Sequence, residues 1–174
     1  MTRWLALGLA GTLIAPAAAA ELKFTAPEGW KGVATTSSMR VAQFLLPRAA
    51  GDTEDAELVV YYFGGSGGSV EANIERWLGQ MAQPDGRPSA AVARRQARTV
   101  NGLALALVDV SGTYVAETSP GSSARHHSPN FRLRAGVVQT PRGPYFIKLT
   151  GPARTVAAWE QAFERFVASL SYAP

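Results

Sequence analysis

The stretch VARRQARTVNGLALALVDVSGTYV, residues 92–115, decides the fold class of this chain. Asn101-Gly102 is a dipeptide typical of tight β-hairpin turns, so we predict one strand over Val92–Val100 and a second over Leu103–Val115. The second strand is apolar on both faces, which is typical of a strand in the middle of a sheet. The sequence therefore predicts a mostly antiparallel sheet that contains this hairpin.

Two more pairs of strands are predicted, one on each side of this hairpin along the chain. Arg40–Leu46 and Glu57–Phe63 are apolar or β-branched segments joined by a polar, acidic linker, which predicts a hairpin. Arg132–Thr140 and Gly143–Thr150 flank a Pro-Arg-Gly turn and predict another. Between the hairpin of residues 92–115 and the last pair of strands, Glu117–Asn130 is rich in Ser, Pro and Gly and is expected to be a long exposed loop.

Two amphipathic helices are also predicted. Ser69 is a suitable N-cap for the first, which is expected to end at Pro84-Asp85-Gly86, and Pro152 suits the first turn of the second. Their apolar residues recur at helical spacing: Val70, Ile74, Trp77, Leu78 and Met81 in the first, and Val156, Trp159, Phe163, Phe166, Val167 and Leu170 in the second. The order of elements predicts a single α+β domain over residues 21–174, an antiparallel sheet flanked by two helices.

The first twenty residues are typical of a secretory signal peptide. A positive start is followed by the apolar run Trp4–Ile14, and Ala18-Ala19-Ala20 offers the small residues that signal peptidase requires. Eleven apolar residues are too few to span a bilayer core of about 30 Å. We therefore expect cleavage after Ala20 and a periplasmic or secreted protein. The chain has no cysteine, so neither a lipid anchor at the cleavage site nor a disulfide is expected.

The charges are distributed unevenly along the chain. Residues 21–85 contain nine acidic and five basic residues, whereas residues 86–159 contain two acidic and ten basic residues. A segment with this excess of positive charge can attract anionic partners. The alternative is a solvated surface on which the charges happen to segregate.

Four arginines of the basic segment are the candidate ligand-binding residues. Arg94, Arg95, Arg132 and Arg134 lie on predicted strands and could together form a face that binds phosphate or carboxylate groups. The alternative is a strand face that arginine merely keeps soluble. Nucleic acid is not an expected partner, because stacking aromatic residues are not interleaved with these arginines.

Ser66 lies in a short match to the nucleophile motif of α/β-hydrolases. Residues 64–68 read Gly-Gly-Ser-Gly-Gly, and Asp109 and His126 or His127 follow in the hydrolase order. A nucleophile elbow belongs to a larger fold with alternating strands and helices, which this chain lacks. We interpret the glycines as a flexible connector and keep a small serine hydrolase as the alternative function.

No metal or other cofactor is expected. His126 and His127 are the only histidines, and neighbouring residues of an extended chain point to opposite sides, so the pair is poorly placed to hold one ion. The acidic residues at 52, 54, 55 and 57 do not follow the calcium-loop pattern and are expected to be solvated.

Three segments carry a resemblance to known proteins. Phe24–Trp30, Gly67–Asn73 with Arg76-Trp77, and Gly143–Pro152 look like an uncharacterised group of exported bacterial proteins. The opening segment, an aromatic residue followed by Pro-x-Gly-Trp, and the terminal strand and helix also resemble the PsbP-like fold. That resemblance implies an antiparallel sheet sandwiched by helices, and it implies a fold rather than an activity.

These observations favour a non-enzymatic exported protein that binds a protein partner or an anionic ligand outside the cytoplasm. The basic stretch from Arg94 to Arg154 is its expected contact surface. A structural accessory subunit without a small-molecule site is a further alternative.

Overall fold

An eight-stranded antiparallel sheet forms the centre of the computed structural model, which describes residues 21–35 and 37–173. The predicted signal peptide at residues 1–20 lies outside the described residues. The strands are β1 (Glu21–Lys23), β2 (Lys31–Gly32), β3 (Arg40–Leu46), β4 (Ala56–Tyr62), β5 (Met81–Ala82), β6 (Arg94–Val100), β7 (Leu103–Tyr114), β8 (Ser128–Val138), β9 (Tyr145–Pro152) and β10 (Ser171–Ala173). The helices are α1 (Val70–Leu78), α2 (Ala153–Ala158) and α3 (Glu160–Ala168), and Ser89–Ala91 forms one 3-10 turn.

The strand order of the main sheet is β2-β3-β4-β9-β8-β7-β5. The long strand β7 pairs with β8 along one edge, and its other edge is shared by β6 and the short β5. The first and last strands of the described chain, β1 and β10, form a separate two-stranded sheet. The α+β class and the mostly antiparallel sheet are as predicted.

The three predicted hairpins are confirmed as β3–β4, β6–β7 and β8–β9. In the β6–β7 turn, Asn101 and Gly102 both have positive φ, 48° and 82°. Two-residue hairpin loops favour this backbone because its twist matches that of the strands, and Asn-Gly adopts it with little strain. The dipeptide therefore fixed both the position and the register of this hairpin.

Helices cover both faces of the sheet, because most central strands are apolar on both sides. Helices α2 and α3 pack on one face, called here the α3 face, and α1 packs on the other, called the α1 face. The core of the α3 face includes Leu58, Val60, Leu105, Ile147, Leu149, Val156, Phe163 and Phe166. The core of the α1 face includes Ile74, Trp77, Leu78, Val108, Val110, Leu133, Val137 and Phe146.

The prediction of two helices was wrong at the C-terminal end, where two short helices replace one. The break lies at Trp159, whose backbone has φ −97° and ψ 9°, outside the helical range. Its indole nitrogen donates a hydrogen bond of 2.8 Å to the carbonyl oxygen of Pro47. This contact holds the ring over the loop between β3 and β4, a tertiary interaction that helical periodicity does not reveal.

Helix α1 begins as predicted but ends earlier. The hydroxyl of Ser69 accepts a hydrogen bond from the backbone N–H of Ala72 at 3.1 Å, so Ser69 is the N-cap. The helix stops at Leu78 instead of continuing to residue 84, and Met81, predicted to lie on the helix, starts β5. Met81 is nevertheless buried, because β5 pairs with the end of β7 and turns that side chain into the same core.

The glycine-rich connector is a set of tight turns. Gly67 has φ +134°, and a Cβ there would lie 2.7 Å from the ring of Phe146. Only glycine allows the chain to pass this close to the core before entering α1. The loop after β7 spans residues 115–127 rather than 117–130, because β7 ends at Tyr114 and β8 starts at Ser128 rather than at Arg132.

Among residues 21–35 and 37–173, no helix combines the length and apolar character that crossing a membrane would require.

Candidate functional site

Three of the four predicted ligand-binding arginines meet on the α3 face. Arg132, on β8, forms a two-pronged ion pair with Asp109 of β7, with N···O distances of 2.8 and 2.6 Å. Arg134, two residues along, donates to Glu164 of α3 at 2.6 Å. Arg94, from β6, reaches the same Asp109 carboxylate at 3.2 Å from the exposed side. Arg94, Arg132 and Arg134 therefore lie on one face of the sheet, around Asp109.

The fourth arginine lies on the opposite face of the sheet. Arg95 forms ion pairs with Glu71 and Glu75 on α1, at 2.6 and 2.5 Å. Adjacent residues of a strand point to opposite sides, so Arg94 and Arg95 cannot contribute to one face. The four arginines therefore do not form a single surface, and each has a carboxylate partner within the chain.

The ion pairs on the α3 face connect α3 to the sheet. Arg132 and Arg134 are only 8% and 7% exposed. Arg132 also donates to Glu160 at 3.0 Å, and the guanidinium of Arg134 lies 4.3 Å above the ring of Phe163. The cavity beside them is about 140 Å³, which is below the range of about 300–1,000 Å³ of small-molecule sites. We interpret this network as structural.

The pKa values on this face follow from the pairing. Burial alone would raise the pKa of Asp109, but the hydrogen bonds from Arg132 and the nearby guanidinium charges together hold it below its usual value. Burial would also raise the pKa of Glu164. Hydrogen bonds from Arg98 and Arg134 outweigh burial, so the pKa of Glu164 is lowered as well. Both carboxylates are therefore ionised at neutral pH.

The residues of the alternative hydrolase are not brought together. The hydroxyl of Ser66 donates to the carbonyl oxygen of Phe63 at 2.8 Å, within its own turn. Asp109 is bound to Arg132 on the α3 face, whereas His126 lies against the ring of Tyr114, on the α1 face, with ring centres 5.2 Å apart. A base and its orienting acid cannot hydrogen-bond from opposite faces of a sheet.

No group of three or more potential metal-ligating side chains occurs within residues 21–35 and 37–173. The acidic loop instead contributes a structural contact: the Asp52 carboxylate accepts hydrogen bonds from the backbone N–H and hydroxyl of Thr155, at 2.9 and 2.6 Å. This arrangement satisfies a donor in the first turn of α2 and fixes the loop against that helix.

A larger cavity lies on the α1 face. It is a cleft of about 780 Å³ between helix α1, the strands beside that helix on the α1 face, and the loop of residues 115–127. We call it the α1 cleft. Its lining includes the aromatic residues Tyr61, Phe63, Trp77, Tyr114, Phe131 and Phe146, and the polar or charged residues Arg40, Glu57, Arg76, Gln80, Glu117, Arg125, His126, Lys148 and Thr150.

Lys148 is the central polar group of the α1 cleft. It lies on β9 between the buried residues Ile147 and Leu149, and its alternating position points it to the α1 face. Its ammonium donates to the side-chain oxygen of Gln80 at 2.6 Å and to the hydroxyl of Tyr114 at 3.0 Å. Both partners are neutral.

Burial dominates the titration of these groups. It lowers the pKa of Lys148 to about 8, with the positive charges of Arg76 and Arg40 acting in the same direction and Glu57 opposing them. Burial also raises the pKa of Tyr114 to about 12, so this hydroxyl stays protonated at neutral pH. The cleft therefore contains an ammonium group that is mostly charged at pH 7 in a weakly solvated place.

Arg76 is positioned at the cleft by the buried residue Asn73. The Asn73 amide donates to the carbonyl oxygens of Gly67 and Ser69, at 2.7 and 2.9 Å, and its oxygen accepts from Arg76 at 2.7 Å. The Asn73 side chain thus links the turn before α1 to the guanidinium of Arg76 at the cleft.

We expect Asn73→Ala to lower the free energy of unfolding by about 2 kcal/mol, because the buried side chain of Asn73 makes three hydrogen bonds, to Gly67, Ser69 and Arg76, that alanine cannot replace. Chemical denaturation measures this change. Asn73→Asp is the matched variant: it keeps the acceptor for Arg76 but loses the amide donors. If both variants were as stable as the parent protein, these hydrogen bonds would contribute nothing.

Sequence reasoning did not assign a role to Lys148 or to the α1 cleft. One signal was available, since Lys148 is the only charged residue in the apolar segment Tyr145–Leu149. The walls of the cleft come from five strands (β3, β4, β7, β8 and β9), helix α1 and the loop of residues 115–127. These elements are distant in sequence, and no local pattern connects them.

Comparison with known protein families finds none that matches the chain, and no curated protein matches it. The solved structures that share its fold include two bacterial proteins. The protein of unknown function PA94 from Pseudomonas aeruginosa has a TM-score of 0.50 at 16% identity, covering 76% of this chain and 82% of PA94. LpqN from Mycobacterium tuberculosis, described as involved in cell envelope biogenesis, has a TM-score of 0.54 at 11% identity, covering 93% of this chain and 88% of LpqN. At these identities the likeness shows the fold alone.

Proposed function

We propose that this chain is a non-enzymatic binding protein of the cell envelope that holds a small molecule in the α1 cleft. We further propose that it is exported through the segment at residues 1–20, released by cleavage after Ala20, and of the PsbP-like fold class. Helices on both faces of an antiparallel sheet support that fold assignment. The described role of LpqN in the cell envelope agrees with the proposed location.

The single observation that carries the binding function is the α1 cleft itself. At about 780 Å³ it has the size of a small-molecule site. Most binding sites combine an apolar and aromatic lining with a few convergent polar groups. The α1 cleft has both, since its aromatic walls surround Lys148.

A binding role is favoured over catalysis because the chemical groups of the cleft lack the arrangement of a nucleophile and its base. The hydroxyl of Ser66 is committed to its own turn, and Lys148 donates to two neutral oxygens. The predicted anion-binding site at Arg94, Arg95, Arg132 and Arg134 stays a prediction. A ligand there would have to compete with the carboxylates that already pair with these residues.

Native mass spectrometry tests the proposed function. The full chain is expressed in its own host and purified from the envelope fraction without denaturation. We expect a polypeptide of the mass of residues 21–174 carrying a non-covalent adduct of small-molecule size. Phe131→Asp, which places a charge in the aromatic wall, should abolish the adduct. Val41→Asp, at an exposed apolar residue outside the cleft lining, should retain it.

Circular dichroism and thermal unfolding establish that both variants fold. Should Phe131→Asp not fold, Ser119→Trp, which adds bulk at the exposed loop beside the cleft, takes its place. An adduct that survives the cleft variant would contradict the proposed site. A protein partner instead of a small molecule would favour the accessory-subunit alternative.

A further inference from the structure

We propose that the α1 cleft selects a small organic acid, with its apolar or aromatic body against the aromatic wall and its single anionic group at Lys148. This inference rests on the proposed function and names the ligand class for the same site. It places the anion at a position that differs from the arginine cluster predicted from the sequence.

The first argument is the incomplete coordination of the Lys148 ammonium. An ammonium group has three N–H donors, and two of them are used by Gln80 and Tyr114. Within the described part of the chain, no carboxylate oxygen lies within 4.0 Å of this nitrogen. A partly buried cation with neutral partners and a free donor is poorly compensated, and an anion of the ligand would compensate it.

The second argument is the charge around this end of the cleft. Arg76 is likewise beyond 4.0 Å from every described carboxylate oxygen, and its side chain donates a hydrogen bond to the neutral Asn73. The carboxylate of Glu57 is engaged by Arg40 at 3.7 Å and by the amide of Gln43. On the loop side, Glu117 has Arg125 as its partner at 3.8 Å. Of the four acids that line the cleft, Glu57 and Glu117 are therefore already paired with arginines, and Asp55 accepts a hydrogen bond of 2.9 Å from the backbone N–H of Arg48.

A third observation concerns Thr150, two residues from Lys148 on β9 and on the same face. Its hydroxyl is buried and has no hydrogen-bond partner within the described residues. Buried polar groups normally have a partner, and an exception calls for an explanation. A polar group of a ligand in the α1 cleft would give the Thr150 hydroxyl a hydrogen-bond partner.

The fourth argument is the wall that would hold the body of the ligand. The Tyr114 and Phe131 rings are stacked with centres 6.0 Å apart, and Tyr61 and Phe63 are stacked at the same distance on another strand. Flat, rigid rings bury apolar surface at a small cost in conformational entropy. This lining suits an apolar or aromatic body better than a sugar or a free inorganic ion.

The inference is tested with two related dyes. Anilinonaphthalene sulfonate is an aromatic anion that fluoresces in apolar sites, and phenylnaphthylamine has the same ring system without the sulfonate. We expect the parent protein at pH 7 to bind the anion about tenfold more tightly, as one charge-assisted hydrogen bond would give. Lys148→Met should remove this preference with little effect on the neutral dye, and Lys148→Arg should keep much of it.

The affinity of the parent protein for the anion should also fall as the pH rises past the pKa of Lys148, about 8. The other groups that face this ammonium are Glu57, Arg40, Arg76, Tyr61 and Tyr114. Burial raises the pKa of both tyrosines, so they stay neutral over this range. The pH series uses only the parent protein. It therefore tests whether the anionic group binds at Lys148 even if Lys148→Met does not fold.

The outcomes separate the two proposals. Equal affinities for the two dyes, or a preference for the anion that neither Lys148→Met nor high pH removes, would overturn the assignment of the anionic group to Lys148. Failure of the folded protein to bind either dye would overturn the proposed function as well. Near-UV circular dichroism under each condition ensures that the dyes report the folded state.

Discussion

Asp109→Ala should lower the free energy of unfolding by about 3 kcal/mol, the loss typical of a buried charge deprived of its partner. Asp109 receives two hydrogen bonds from Arg132, and Arg94 and Arg134 lie within 3.2 and 3.6 Å of the same carboxylate. Its removal leaves Arg132 with Glu160 as its remaining carboxylate partner, on a face where Arg132 and Arg134 are largely buried. Chemical denaturation with a two-state fit measures the loss.

Asp85→Ala is the matched control. Asp85 is also paired with an arginine, Arg87, at 2.7 Å, but both side chains are exposed. Exposed ion pairs contribute little to stability, so this variant should unfold at nearly the same denaturant concentration as the parent protein. A similar small effect for Asp109→Ala would show that the network on the α3 face is not structural.

The same network makes stability depend on pH in a defined direction. The pKa values of Asp109 and Glu164 are lower in the folded than in the unfolded chain, where they are close to about 4. Their contribution is therefore fully present above about pH 5 and is lost as the pH falls through the folded-state values. The denaturation midpoint of the parent protein should fall more steeply below about pH 5 than that of Asp109→Ala.

Phe163→Ala should lower the free energy of unfolding by about 4 kcal/mol, as is typical of truncating a buried aromatic side chain. Phe163 has no exposed surface and packs between α3 and the sheet. Its ring also lies beneath the guanidinium of Arg134, with 4.3 Å between the Arg134 Cζ and the ring centre. The variant loses apolar contacts, opens a cavity and deprives a buried cation of its aromatic neighbour.

Phe163→Leu separates these contributions, since leucine refills most of the volume but offers no aromatic face. We expect a loss of about 1–2 kcal/mol for this variant. Thermal and chemical denaturation of both variants should rank them in this order. Equal losses for the two would mean that the volume of the side chain is irrelevant, which contradicts the packing described here.

The parts of the fold that local sequence determines were predictable. Asn101-Gly102 fixed a hairpin because few other residues adopt positive φ at two consecutive positions, and Ser69 fixed the start of α1 because its hydroxyl reaches a nearby N–H. The break at Trp159 was not predictable from helical periodicity, because the side chain at the break is held by a hydrogen bond to Pro47, more than a hundred residues away. The early end of α1 likewise depends on pairing between β5 and β7.

The candidate site shows the same division between local and distant contacts. The arginines were recognisable as basic residues on strands, but their partners Asp109, Glu160 and Glu164 come from another strand and a helix. Three arginines of the basic segment, Arg94, Arg132 and Arg134, thus lie in an ion-pair network with acidic side chains. The α1 cleft depends even more on distant contacts, since Lys148 meets Gln80 and Tyr114 only after the sheet has formed.

The most direct test of the central claim is an amide NMR titration of the mature protein with anilinonaphthalene sulfonate. It asks which face of the sheet takes the anion. We predict that the largest shifts occur at Lys148, Tyr114 and the end of α1, with little change at Arg94, Arg132 and α3. Shifts centred on Arg94, Arg132 and α3 would contradict the account and return the binding site to the arginine cluster.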